Sequence, residues 1–164
     1  MKTKKILLVD DDVDVIDILT TILKKEGYEI VAANDKVDAL KKAFAEKPDL
    51  AICDVMMTTH YEGFELAKEF SEAKEFEHMP VIMQTSIDVL TTTKSDVQGM
   101  AREFRKDPRY TELQVILLKD VNTGKAGIDY RAEDGRSIWL PVDGFLRKPV
   151  NAKELLQEVS NHIR

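Results

Sequence analysis

Ile6-Leu7-Leu8-Val9-Asp10-Asp11 decides the fold: four aliphatic residues in a row, the length and composition of a strand buried on both faces, closed by two acids. A second stretch, Leu50-Ala51-Ile52-Cys53-Asp54, repeats the design. Two such strands side by side in a parallel sheet gather three carboxylates at one sheet edge, the edge where α/β folds bind ligands. Carboxylates that close repel one another unless a cation lies among them, so Asp10, Asp11 and Asp54 read as a divalent metal site.

Working outward, apolar runs alternate with helical periodicity. Val15, Ile16, Ile18, Leu19, Ile22 and Leu23 recur every three or four residues and paint one helix face, ended near Gly27. Residues 28–33 read as strand two. Val37, Leu40, Ala43 and Phe44 line a second helix, which must stop before Pro48 because proline disfavours helical geometry in the residue preceding it. Strand three spans 49–54, Phe64, Ala67 and Phe70 stripe a third helix, and Pro80 introduces strand four at 81–85. At the far end Phe145-Leu146-Arg147 makes a short strand, Lys148-Pro149 a turn, and 151–164 a helix with Leu155, Leu156, Val159 and Ile163 inward. That helix opens on Asn151 with Glu154 three residues later, a capping-box-like start. This alternation is the signature of βαβ units and a parallel sheet.

The middle is harder to read. Val97, Met100, Ala101 and Phe104 suggest a helix over 94–107 ended by Pro108, residues 113–118 a strand, and 127–132 with 136–140 a hairpin about Glu133-Asp134-Gly135. No repeat array, low-complexity tract or linker is visible.

At 164 residues the chain fits one domain of roughly 100–200 residues. A net charge of -6, with no basic block or appended DNA-binding segment, argues against nucleic acid as a direct partner. No apolar stretch approaches the ~18–20 residues of a membrane span, and Met1-Lys2-Thr3-Lys4-Lys5 leads into a strand instead of a signal-peptide core. A cytoplasmic protein with no membrane partner is expected. The single cysteine, Cys53, cannot form an internal disulfide and reads as a small core residue without a role. His60, His78 and His162 lack ligand spacing and read as surface residues.

Five pieces in order carry a family resemblance: Ile6-Leu7-Leu8-Val9-Asp10-Asp11-Asp12, Pro48 through Met57, Glu62-Gly63-Phe64-Glu65-Leu66, Pro80 through Ser86, and Phe145-Leu146-Arg147-Lys148-Pro149. Together they resemble a bacterial two-component response-regulator receiver domain (CheY-like), well over residues 5–86 and 144–164 and poorly over 87–143. The resemblance implies a flavodoxin-like, doubly wound parallel five-stranded sheet of order 2-1-3-4-5. Residues 1–164 are then a single receiver domain carrying an inserted helix, strand and hairpin at roughly 87–143.

By the same resemblance, Asp54 is the phosphoacceptor, charged from the phosphohistidine of a sensor histidine kinase or phosphotransfer protein. Asp11 and Asp54 hold Mg2+ directly, the Met56 backbone carbonyl is a third ligand, and Asp10 acts largely through water. Lys148 pairs with the phosphoryl oxygens and the Thr85 hydroxyl moves in to bond another. Phe145 follows Thr85 inward as a switch, although plain core packing accounts for it equally well. Asp12 is a loop acid or helix N-terminal residue. The implied role is signalling by phosphorylation-dependent protein contact with no output domain, not enzymatic turnover, with slow autophosphatase activity as a side reaction.

The chain departs from the family in two places. Thr58 stands where a proline is usual, and with Thr59, His60 and Tyr61 it makes the approach to Gly63 one residue longer. The segment 87–143 exceeds the one helix the family needs, and it holds a second candidate for strand four, 114–118. That register would put Lys119 or Asp120 where a hydroxyl belongs, so Thr85 is preferred. An extra strand beside strand four would carry Lys148 roughly 5 Å further from Asp54, so the insert is expected at an edge or outside the sheet. The rebuilt 87–145 face implies a dedicated downstream protein, with the chain a monomer or weak dimer. Trp139-Leu140-Pro141-Val142 is either its anchor or the packing of the hairpin. Met56 and Ile87, flanking the phosphoryl group by the resemblance, cannot orient an attacking water, so slow self-dephosphorylation is expected.

Three other readings compete. A haloacid-dehalogenase-like phosphatase needs a second acid where Met56 stands, and a flavodoxin needs a Ser/Thr/Gly-rich phosphate loop where acids stand. A degenerate receiver serving only for docking has no reason to keep all three acids, Thr85 and Lys148.

Overall fold

The computed structural model describes residues 3–57 and 62–163. In chain order the elements are β1 (Lys5–Val9), α1 (Val13–Lys25), β2 (Glu29–Ala33), α2 (Lys36–Glu46), β3 (Leu50–Asp54), α3 (Glu62–Glu72) and β4 (Val81–Thr85). Then come β5 (Val89–Thr92), α4 (Val97–Arg105), β6 (Val115–Asp120), β7 (Ala126–Arg131) and β8 (Ser137–Val142), and finally β9 (Gly144–Arg147) and α5 (Ala152–His162). They form two compact units, Met1–Thr85 with Leu146–Arg164, and Ser86–Phe145.

The five-stranded sheet has the order β2-β1-β3-β4-β9, so β9 takes the fifth place and the expected 2-1-3-4-5 topology is present. The pairs of β1 with β2, β1 with β3, and β3 with β4 are parallel. Every residue of β3 and β4 is buried, as continuous apolar runs require of central parallel strands. Ile6, Leu8, Leu50, Ile52 and Ile82 pack against Ile16, Leu19 and Leu23 of α1 and Leu155 and Val159 of α5. Alternation turns Leu7, Val9, Ala51, Cys53 and Met83 to the other face, where α2 packs on β1 and α3 on β3.

Helix faces differ from their sequence patterns in one respect. On α1, Ile18 is 57% exposed, and on α2, Val37 and Phe44 face outward while Ala39 and Ala43 are buried. The α2 face is turned so that two small residues, one helical turn apart, let the helix lie close to the sheet. Phe44 instead meets Phe76, in a single 3-10 turn after α3, with the rings tilted at 59° and their centroids 4.9 Å apart. Caps follow the sequence: Asp12 accepts the N–H groups of Asp14 and Val15 at the start of α1, and Asn151 those of Lys153 and Glu154 at α5.

The second unit builds its own sheet, β5-β6-β7-β8, with β5 parallel to β6 and the remaining pairs antiparallel. The insert therefore contributes no strand between β4 and β9, as anticipated. The 127–132 and 136–140 hairpin is present as β7 and β8, while the four-residue β5 escaped notice because it is too short to show a period. Leu118, Val97 and Ala101 form a small core flanked by Leu90, Met100, Phe104 and Trp139. The Trp139 ring lies over Gly127 of the same hairpin, where any Cβ would collide with it, and packs against the small core. Arg105 reaches buried Asp129 at 2.9 Å and bonds the carbonyls of Tyr110, Leu113 and Asp129.

Among the described residues no helix is long and apolar enough to cross a membrane. His78 is exposed, and His162 is partly exposed, 3.8 Å from Glu158. Thr58, Thr59, His60 and Tyr61 lie outside the described residues.

Candidate functional site

The C-terminal ends of β1, β3 and β4 carry the site. Asp10 continues the line of β1, its N–H bonded to the Ala33 carbonyl beyond β2's last pair, and its side chain is fully buried. Its Oδ1 accepts the Asp12 N–H at 2.9 Å; its Oδ2 accepts Lys148 Nζ and Gln84 Nε2, each at 3.1 Å. Asp54, the last residue of β3, is 6% exposed. Its Oδ1 accepts the N–H of half-buried Met56 at 3.2 Å and its Oδ2 accepts Lys148 Nζ at 2.7 Å. Asp11 stands exposed at the mouth, and one carboxylate oxygen from each of Asp10, Asp11 and Asp54 lies within 4.8 Å of the others.

Lys148 arrives from the turn after β9, with a cis peptide to Pro149, and its backbone N–H donates to the Thr85 carbonyl at 2.8 Å. That bond ties the turn to the end of β4 and sets the ammonium between the two buried acids. Thr85 is buried at the end of β4, and Phe145 is buried within β9. Asp120, the rival to Thr85 in the alternative register, spends its carboxylate on the Asn122 N–H and the Thr123 hydroxyl of its own turn.

Electrostatics follow from burial and pairing. Burial lifts the Asp54 carboxyl above its ordinary range, and the charge of Asp10 adds to this against the opposing bond from Lys148. Burial works against the Lys148 charge, but the bonds from Asp54 and Asp10 outweigh it and hold the ammonium above its usual pKa. The Cys53 thiol is pushed far up by burial and by neighbouring Asp54, which leaves it inert, as expected. With all three acids ionised, Lys148 offsets one negative charge and leaves two. An all-oxygen donor set, doubly negative and open on the Asp11 side, fits a hard divalent cation.

Two contributors were given no role from sequence, though both stand in the stretches that carry the resemblance. Gln84, which pairs with Asp54 in register, reaches past it to Asp10. Its signal was present, an amide inside an otherwise apolar strand. Gly63, in the first turn of α3, abuts the Asp54 backbone so closely that a Cβ would overlap the Asp54 carbonyl. Only proximity in space reveals that requirement.

Residues 6–117 match the family described as the response regulator receiver domain. The alkaline phosphatase synthesis transcriptional regulatory protein PhoP of Bacillus subtilis (strain 168) is 40% identical over 85 residues, 52% of this chain and 34% of that protein. The match thus spans about a third of that relative's length. Among solved structures, chemotaxis response regulator CheY4 of Vibrio cholerae is 22% identical with a TM-score of 0.60, covering 99% of this chain and 100% of its own. A CheY-like receiver domain protein from Methanospirillum hungatei JF-1 is 25% identical with a TM-score of 0.61, covering 98% and 93%. Response regulator TrrA from Thermotoga maritima is 24% identical with a TM-score of 0.61, covering 98% and 100%. The sequence match ends within β6, whereas the fifth place in the sheet and the lysine belong to β9 and its turn. With the strand order and an acid-lined strand edge alongside that match, the chain belongs to the response regulator receiver domain family of two-component signalling proteins.

Proposed function

We propose that the chain takes a phosphoryl group onto Asp54 from a sensor histidine kinase or phosphotransfer protein, in a Mg2+-dependent reaction, and signals by phosphorylation-dependent protein contact. The observation that carries this reading is the Lys148 ammonium shared between Asp54 and Asp10, beside three carboxylates within mutual reach of one cation. TrrA, whose fold this chain shares, was crystallised in complex with Mg2+ and BeF.

In the reaction a carboxylate oxygen of Asp54 forms a bond to phosphorus as the P–N bond of the donor phosphohistidine breaks. The electron pair stays on the imidazole nitrogen, which picks up a proton. Asp11, Asp54 and the Met56 carbonyl would hold the cation, with Asp10 acting through water, and bound Mg2+ would offset charge on the phosphoryl oxygens. Lys148 turns from Asp10 to those same oxygens, and the Thr85 hydroxyl bonds another. Phe145 moves after Thr85 and passes the change to the 87–145 segment, which docks a dedicated downstream protein. Such a switch is a shift between two packings, driven by the phosphoryl group's differential contacts. On this reading residues 1–164 work as one receiver domain with an insertion at roughly 87–143.

Incubation with Mg2+ and acetyl phosphate tests the proposal by mass spectrometry. One added phosphoryl group, removed by hydroxylamine and lost in Asp54→Asn, is the expected result. Rapid turnover without accumulation would favour a phosphatase, and no adduct a docking module.

A further inference from the structure

We propose that Gln84 is a positioning residue of the cation site, holding Asp10 through Nε2 and offering Oε1 to a water ligand of the cation. This rests on the Mg2+ reading above and deepens it. Gln84 is fully buried in β4 after Val81, Ile82 and Met83, a place where an amide is costly unless both its polar ends are used. It pairs in register with Asp54, so its side chain leaves the sheet on the Asp54 side. From there it passes β3 and reaches Oδ2 of Asp10 at 3.1 Å.

The chemistry fixes which way the amide faces. A carboxylate only accepts, so the NH2 end must meet Asp10 and the carbonyl end is turned away from it. That carbonyl, Oε1, is buried and has no hydrogen-bond partner among the described residues, an arrangement native interiors rarely leave standing. The amide nitrogen beside it is 3.1 Å from Asp10, a member of the acid cluster. Mg2+ keeps several of its waters when it binds carboxylates, and those waters are donors of the kind Oε1 lacks. Gln84 also meets a need created by the reaction. Lys148 and Gln84 share Oδ2 of Asp10, and once the lysine turns to a phosphoryl group, the amide remains to hold that buried carboxylate in place.

The test is calorimetric titration of the metal-free full-length chain with Mg2+, comparing wild type with Gln84→Leu and Gln84→Met, each checked for fold by circular dichroism. Loss of a group that orients a metal ligand weakens metal binding roughly tenfold or more, and that is expected of both variants. Their adduct formation with acetyl phosphate should need correspondingly more Mg2+ to reach half its maximal rate than wild type does, which separates the Mg2+ requirement from the maximal rate. A packing role alone would not produce that split. Wild-type Mg2+ affinity in either folded variant overturns the proposal, as does loss of fold in both. A wild-type titration with no binding heat and no Mg2+-dependent adduct overturns the metal reading itself, a distinct result.

Discussion

Two buried carboxylates share one ammonium, at 2.7 Å from Asp54 and 3.1 Å from Asp10. Burial makes the ionised form of Asp54 less favoured in the folded chain than in the unfolded one. The folded state therefore keeps the Asp54 proton to higher pH, and stability falls as pH rises from the unfolded carboxylate value through the raised folded one. The penalty is fully present above that raised value. Asp54→Asn is thus expected to raise Tm in metal-free buffer near pH 7, by ~2–4 °C for each ~1 kcal/mol recovered. The gain should shrink to nothing in acid that protonates Asp54 in both states, and calorimetry across pH checks the sign. At Met56, half-buried two residues on, a polar side chain is expected to speed loss of the phosphoryl group by bringing water into line. Decay of the isolated adduct measures it; wild-type hydrolysis within seconds would contradict the slow self-dephosphorylation expected from Met56 and Ile87.

Elements deliver these residues through contacts that tolerate little change. The start of α3 lies against the end of β3 at Gly63, and an added Cβ would overlap the carbonyls of Asp54 and Val55. Backbone cannot rotate out of the way as a side chain can. Gly63→Ala is expected to cost ~1–3 kcal/mol in urea unfolding by forcing the helix and strand apart. In the 86–145 unit the corresponding constraint is electrostatic. Arg105 and Asp129 are 12% and 3% exposed, so Arg105→Met would strand a buried carboxylate and cost ~3–5 kcal/mol. The fluorescence of Trp139, the chain's single tryptophan and a neighbour of that small core, reports the loss. The double variant Arg105→Met, Asp129→Leu should recover much of it, because no charge is then left unpaired.

At the scale of the molecule, a cation that binds only the folded chain must stabilise it. At 100 times its Kd, Mg2+ is expected to add ~2.7 kcal/mol, reversed by chelation and reduced in Asp54→Asn. The apolar runs at Ile6–Val9 and Leu50–Cys53, the helical periods, the caps at Asp12 and Asn151 and the acids closing two strands were all legible in order. Each is a local signal, since a strand buried on both faces has to be apolar throughout and a helix end needs an acceptor within three residues. Other features were not local. Nothing near Ile18 or Phe44 says that their helices turn them outward, and nothing in Val89-Leu90-Thr91-Thr92 announces a strand. That β9 lies beside β4, with a complete second sheet between them in sequence, follows from pairing between distant segments. The sequence by itself determined the α/β class and which acids close which strands, because burial and backbone hydrogen bonding act on consecutive residues. Tertiary structure alone decided that Gln84 meets Asp10, that Gly63 must lack a side chain and that one ammonium serves two acids, because those relations exist only once separate strands are side by side.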